Sequence, residues 1–482
     1  MKIDIGTKEY MLSDVARSCG GYLVGADRTV RSICTDSREA GAGTLFVALA
    51  GARTDGHNYI MQVIQHGCEA ILCEKFPPLP EVMDVSAVIV PDTLRALSDM
   101  AEEYIRERRL LRVAVTGSVG KTTTKEFLCS VLGQRFKCYK TEANYNSTVG
   151  MPMSVMGINS TYEAAVFEMG MSARGEIAQL SRVVRPDVAL ITNIGSSHLE
   201  YLKTRENIAL AKLEIVTGLA DGGILVVNGD EPLLRGLQHP RYNIRTVAVH
   251  TEGDYTVENI HQNPEAWETV FDLRTPTGET LKRLVIPAIG THMVYDAAYA
   301  VAIGLELGMG ELDIRDGLIN YQNEVLRQNL ISLGDITILA DCYNAAPESM
   351  CEALHVLASY AKARGGRAVA VLGDMRELGE ATRRMHETVG EEAASLGISC
   401  LMTLGELGVS IAEGAMGAGM ADENICMVRR LDDLRPAAQT LWRMLRAGDV
   451  VLLKASRAIA AERMIDALRA VQQEQNETLD IS

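Results

Sequence analysis

The stretch RVAVTGSVGKTTTKEF, residues 112–127, decides the fold. RVAVTG at 112–117 is a short apolar run of strand type, and KEFLCSVL from Lys125 continues a helical pattern. Between them Thr116, Gly117, Ser118, Val119, Gly120, Lys121, Thr122 and Thr123 make a glycine-containing turn from strand into helix. Backbone N–H groups of such a turn converge on an anion at the helix N-terminus. Lys121 offers positive charge to terminal phosphates, and the Thr122 hydroxyl is suited to Mg²⁺. The longer form of the motif has glycine where Val115 stands, so the match is to a shortened form. ATP or GTP binding follows.

Further strand-type runs lie downstream: AAVFEMG at 164–170, DVALITN at 187–193 and GILVVNG at 223–229. Helix-compatible sequence separates them, which predicts an α/β fold with a doubly wound parallel sheet. A second series, ITILAD at 336–341, RAVAVLGD at 367–374, SCLMTLG at 399–405 and DVVLLKAS at 449–456, predicts a second, Rossmann-like α/β domain. Upstream, a smaller α/β unit is expected, closed by the proline-rich KFPPLPEVMD at 75–84, which reads as a linker. The expected division is residues 1–86, 87–322 and 323–482, the second boundary falling near Tyr321 to Gln328. At about 150 residues per domain, a chain of 482 suits three. The terminal VQQEQNETLDIS is expected to fray.

Apolar residues form 47% and charged residues 23% of the chain, which excludes collagen-like, coiled-coil and disordered classes. The net charge of −16 argues against broad attachment to nucleic acid or anionic lipid, so any phosphate site must be built locally. The ten cysteines include no C-x-x-C pair, which fits free thiols in a reducing cytoplasm. Asp4 and Glu9 stand where a signal peptide needs an apolar core, and no apolar run approaches membrane-spanning length. A cytoplasmic monomer is expected.

In open parallel sheets, ligands sit beyond the carboxyl ends of the strands. Besides the phosphate loop, those ends carry Glu168 and, through Asn193, His198. Taken alone, a strand-end Glu is commonly a cap or ion-pair member and a lone His is commonly structural. On the edge that binds the nucleotide, both become candidate metal ligands. Lys212 is a different case: the 100° helical step puts it on the apolar face of Ile208, Ile215, Val216 and Leu219. Either its stem runs along that face to water, or it has a partner such as a metal or a covalent modification.

With TGSVGKTTTKEF, ANYNSTVGMPM, EMGMSARGEIAQL, NIGSSHLE and ENIALAKLEI in this order, the chain resembles the Mur ligases of peptidoglycan synthesis over nearly its whole length. The amino-terminal TDSREAGAGTLFVALAGARTDGHNYI resembles their uridine-diphosphate-muramoyl domain, whereas the related folate polyglutamate ligases begin almost at the phosphate loop. DCYNAAPESM at 341–350 and VLGDMRELGE at 371–380 resemble the branch that joins D-alanyl-D-alanine to UDP-N-acetylmuramoyl-tripeptide; the Asn-Pro-Arg of the diaminopimelate-adding branch is absent. The resemblance implies ATP-dependent amide ligation through an acyl phosphate, with two Mg²⁺ ions. It implies that Lys121 and Thr122 serve the triphosphate and the first Mg²⁺, that Glu168 and His198 help hold the metals, and that Lys212 is carbamylated as a ligand for the second. Asn144 and Asn146 match positions near the transferred phosphate, with Asn146 in a catalytic place and Asn144 on the substrate side. His292, Arg327 and Asp341 match nucleotide-binding positions. Asn344, Lys454, Ser456 and Arg457 match substrate positions of the carboxy-terminal domain, and Ser37 and Arg38 match the uridine-nucleotide side.

The sequence departs from the family pattern at several of these places. Around the adenine the pattern is His-Asn-Val-Tyr-Asn-Ala; here it is His292-Met293-Val294-Tyr295-Asp296-Ala297, and Met293 cannot replace an amide's paired donor and acceptor. Ala340, Ala346, Ser147 and Ala455 also replace usual residues. The alternatives are a diverged ligase for another amine or carboxylate, and a catalytically silent nucleotide-sugar-binding paralogue. The complete set Lys121, Thr122, Glu168, His198 and Lys212 favours an active ligase.

Overall fold

The computed structural model describes residues 1–7, 9–51, 54–78, 84–142 and 144–480, without the side chains of 476–480. It is a three-domain α/β protein with one principal sheet in each domain. The amino-terminal sheet has six strands in the spatial order Lys2–Asp4, Ser32–Cys34, Thr44–Val47, Ala70–Cys73, Ser86–Ile89 and Tyr22–Val24. Its inner strands pair in parallel and its two edge strands antiparallel.

The central sheet has nine strands. Leu111–Thr116, which feeds the phosphate loop, lies between Ala164–Glu168 and Val188–Ile191, parallel to both. The strand order therefore reverses at Leu111–Thr116, the place where open α/β sheets leave a crevice for a ligand. Alternate side chains of the strands enter two different cores. Ala114, Phe167, Ile191 and Val227 pack on one face; Val113, Val115, Val166 and Val226 pack on the other under the helices Lys121–Leu132 and Thr291–Glu306. Burial on both faces is why these strands read as unbroken apolar runs.

Beyond Ile224–Asn228 the sheet continues into Asn243–Ala248 and then the antiparallel Tyr255–Asn263, Glu268–Arg274 and Thr280–Ile286. This extension was not expected from apolar runs. Its strands alternate in burial, as in Glu268–Arg274, because only one face packs on the core and the other is partly open to solvent.

The carboxy-terminal sheet runs Asn329–Leu333, Ile336–Ala340, Val450–Lys454, Ala368–Gly373, Cys400–Leu404 and Ile425–Val428, parallel except for its first strand. Helix Pro347–Ala363 begins with proline at its first turn, where the missing N–H costs nothing.

Two expectations are corrected. KFPPLPEVMD, of which 79–83 lie outside the described residues, joins Ala70–Cys73 to Ser86–Ile89, which are hydrogen-bonded neighbours. It is a crossover inside the first sheet, which extends through Ile89 rather than ending at 86. Proline marks irregular backbone, and a crossover needs that as much as a linker does. The tail is the second correction: Arg463–Asp480 is one helix, anchored by buried Leu468 and Val471, and only 481–482 lie outside the described residues.

Candidate active site

The phosphate loop is fixed by close approaches. A Cβ on Gly117 would lie 1.8 Å from Thr192 Oγ1, and one on Gly120, at φ +81°, would lie 2.7 Å from Asp296 Oδ1. Neither position admits a larger residue without displacement. Asn193 Oδ1 accepts from the N–H groups of Ser118 at 3.2 Å and Val119 at 3.0 Å. Thr192 Oγ1 donates to Val119 O at 2.6 Å. Lys121 Nζ folds across the loop and donates to Gly117 O at 2.8 Å and Ser118 O at 3.3 Å. Burial lowers its pKa, against the opposing pull of Glu168.

Behind the loop a network joins four segments of the chain. Thr122 Oγ1 donates to Glu168 Oε2 at 2.8 Å, Asn146 Nδ2 donates to Glu168 Oε1 at 2.9 Å, and Arg327 donates to Thr122 Oγ1 at 2.9 Å. Buried Lys125 stands 3.9 Å from Glu168 Oε2 and pairs with Glu324 at 3.0 Å, tying the loop helix to the segment between the domains. Thr122 and Glu168 thus present hard oxygen donors side by side, the donor type that suits Mg²⁺. Among the described residues no group of three or more His, Cys, Asp or Glu could hold a metal alone. Such a set fits Mg²⁺ completed by substrate phosphates rather than an all-protein cage.

The carboxy-terminal domain forms the opposite wall of a cavity of about 600 Å³. Lys454 Nζ pairs with Asp341 Oδ2 at 2.6 Å and reaches Asn344 O at 3.3 Å. Arg327 lies over the Tyr343 ring, 4.5 Å from its centroid. Two carboxylates reach across the domain boundary. Glu348 Oε1 accepts from Ser196 N at 2.8 Å and Ser196 Oγ at 2.7 Å. Glu377 Oε2 stands 2.5 Å from His198 Nδ1, and this contact holds the Glu377 carboxyl below its ordinary pKa. His198 and Glu377 both adopt left-handed backbone, at φ +66° and +64°, a cost that the surrounding contacts must offset.

Of the residues expected from the sequence, Ser118, Val119, Gly120, Lys121, Thr122, Thr123, Asn146, Glu168, His198, His292, Arg327, Asp341, Asn344 and Lys454 line this cavity. Thr116 and Gly117 support it from below; the Thr116 hydroxyl is spent on Met169 O at 2.9 Å. Others lie outside it. Exposed Asn144 does not line it, and Ser37 and Arg38 are on a loop of the first domain, where Arg38 pairs with Asp36. Ser456 is bound to the Asp374 carbonyl, and Arg457 pairs with Glu462 at 2.6 Å. Glu348 and Glu377 also line the cavity, and nothing in DCYNAAPESM or VLGDMRELGE sets either apart as a site residue.

Lys212 sits in helix Arg205–Leu213, capped by Thr204, whose hydroxyl accepts from Asn207 N at 3.2 Å. Its side chain does not lie along the surface: the residue is only 1% exposed. Among the described residues it makes no hydrogen bond or ion pair. Burial, and secondarily the charge of Lys121, holds its pKa well below the ordinary 10.5. Both causes favour the neutral amine, which is the nucleophilic form.

Among the described residues no helix is long and apolar enough to cross a membrane. Comparison with known proteins matches residues 115–304 to the Mur ligase middle domain, 326–457 to the Mur ligase glutamate ligase domain and 29–105 to the Mur ligase family catalytic domain. The UDP-N-acetylmuramoyl-tripeptide--D-alanyl-D-alanine ligase of Bacillus subtilis is 36% identical over 437 residues, 90% of this chain and 92% of the relative. MurF from Acinetobacter baumannii superimposes with a TM-score of 0.86 at 29% identity, covering 97% of this chain and all of that one. MurF from Thermotoga maritima in complex with ADP gives 0.80 at 28% identity, with 92% and 98% covered.

Proposed function

The chain belongs to the Mur ligase family, and we propose from this that it joins D-alanyl-D-alanine to UDP-N-acetylmuramoyl-tripeptide, consuming ATP, in peptidoglycan precursor synthesis. The observation that carries the reading is one cavity walled by two domains. Lys121, Thr122 and Glu168 lie on one side, and Arg327, Asp341 and Lys454 close the other.

A carboxylate is a poor electrophile, being anionic and without a leaving group. Its oxygen attacks the γ-phosphorus of ATP, the bond to ADP breaks, and an acyl phosphate forms. The dipeptide amine then attacks the acyl carbon, phosphate leaves and the amine sheds a proton. The chain's task is to manage charge and exclude water. Lys121 and Arg327 are the cations for the triphosphate, and Asn146 holds the Glu168 carboxylate in place. Thr122, Glu168 and His198, together with a carbamate on Lys212, would hold Mg²⁺, which when bound offsets repulsion between carboxylate and γ-phosphate. The carbamate forms when the neutral Lys212 amine adds to CO₂ and releases a proton, giving the buried lysine an anionic oxygen. Lys454, fixed by Asp341, meets the carboxylate of the incoming dipeptide. Ser37 and Arg38, on the first domain, face the uridine nucleotide.

The test is mass-detected product formation from the purified protein with ATP, Mg²⁺, bicarbonate and UDP-muramoyl-tripeptide, with and without D-alanyl-D-alanine. An amide product matched by ADP and phosphate is expected. Tripeptide binding with no product would overturn the assignment, and a panel of other amines would then separate a repurposed ligase from a silent binder. In the same assay, Glu348→Ala, which removes both bonds to Ser196, is expected to lower kcat/KM about tenfold. The loss should fall mainly on KM for ATP, because the bonds hold the domains together rather than touch the reacting atoms. A loss confined to kcat would contradict that role.

A further inference from the structure

Asp296 is a buried acid directly beneath the phosphate loop. It lies in helix Thr291–Glu306, is 4% exposed and lines the cavity. Its Oδ1 sits so close under Gly120 that a Cβ there would be 2.7 Å away. Among the described residues it forms no ion pair and accepts one hydrogen bond, 2.6 Å from Thr124 Oγ1. The lysines of the loop helix face elsewhere: Lys121 turns to Gly117 O and Lys125 to Glu324. A loop suited to gathering negative charge thus rests on a carboxyl that, among the described residues, has no ion-pair partner.

We propose that Asp296 enters the nucleotide complex as the neutral acid, so that the protein takes up a proton when ATP binds. Protonated, the carboxyl offers one donor and one acceptor, as the amide in the family pattern does, without repelling phosphate. The apo site is poised for this exchange. Burial raises the Asp296 pKa to about 7, against the Thr124 hydrogen bond and the charges of His292 and Arg327, which lower it. The other titratable groups that face it are the phenols of Tyr299 and Tyr321, both pushed well above their ordinary range by burial. A triphosphate above the acid raises its pKa further, by the same Coulomb term that separates two carboxylates sharing a site.

The inference rests on the ATP site proposed above, and calorimetry of MgATP binding tests the two separately. Titration at pH 7 in buffers of different ionisation heat should show uptake of about half a proton per ATP, and affinity should weaken roughly tenfold between pH 7 and 8.5. Asp296→Asn keeps the acceptor for Thr124 and is expected to remove both effects. ATP binding without proton uptake by the wild type overturns the inference while leaving the nucleotide site intact, and needs no variant. Undiminished uptake in Asp296→Asn also overturns it, since the proton then goes to another group. No ATP binding to the wild type overturns the site and the inference together.

Discussion

Lys121→Ala is expected to lower kcat/KM at least about a thousandfold while leaving the melting temperature unchanged or slightly raised. Removing one preorganised charge aimed at developing negative charge typically costs 10²–10³ in rate. Lys121 also neutralises the triphosphate before reaction, so binding and chemistry lose together. Stability should not follow activity. The ammonium donates only to two carbonyls of its own loop, and burial already disfavours its charged form. Lys121→Arg should rescue little, because the guanidinium fork needs more room than a point charge where Gly117 and Gly120 already sit against Thr192 and Asp296. Steady-state kinetics, ATP affinity and thermal melting on the two variants check this. Activity within about tenfold of wild type would remove the loop from the chemistry.

The phosphate loop was legible because its chemistry is local: one strand, two glycines and a lysine within a dozen residues fix an anion site before any tertiary contact is known. Glu168 and His198 needed the sheet, whose apolar runs were plain because both faces are buried. Glu348 and Glu377 were not legible. Each acts by touching a loop of another domain, and no periodicity within Pro347–Ala363 or Val371–Glu380 records where Ser196 and His198 will lie. Ser456 and Arg457 were expected at the substrate from resemblance, yet bonds to Asp374 and Glu462 hold both outside the cavity. The proline-rich segment before Ser86 misled for a related reason, since composition reports irregular backbone without saying what it connects. Asp296 was visible as a letter out of pattern, but only the approach to Gly120 gives that letter a consequence.

Lys212→Met should separate stability from activity in opposite directions. In bicarbonate-depleted buffer the wild type carries an almost wholly buried amine that makes no hydrogen bond or ion pair among the described residues, and desolvating a polar group in that way costs about 1–3 kcal/mol. Methionine fills similar space among Ile208, Ile215 and Leu219 without that cost, so the variant should melt higher. The sign of the pH dependence agrees. Because the folded pKa of Lys212 is depressed, the unfolded chain binds more protons, and wild-type stability rises with pH up to the ordinary value of 10.5. The advantage of methionine should therefore shrink on going to alkaline pH. Added bicarbonate should shrink it too, as the amine becomes a carbamate whose anion lies near the charge of Lys121. Ligase activity should fall by about a thousandfold or more in the variant under every condition, since the ligand proposed for Mg²⁺ is lost. Wild-type activity should rise with bicarbonate, and ¹³C-labelled bicarbonate should give a carbamate signal that the variant lacks. A methionine variant active within about tenfold of wild type would leave the buried lysine a packing residue, and wild-type activity indifferent to bicarbonate would take the carbamate out of the mechanism.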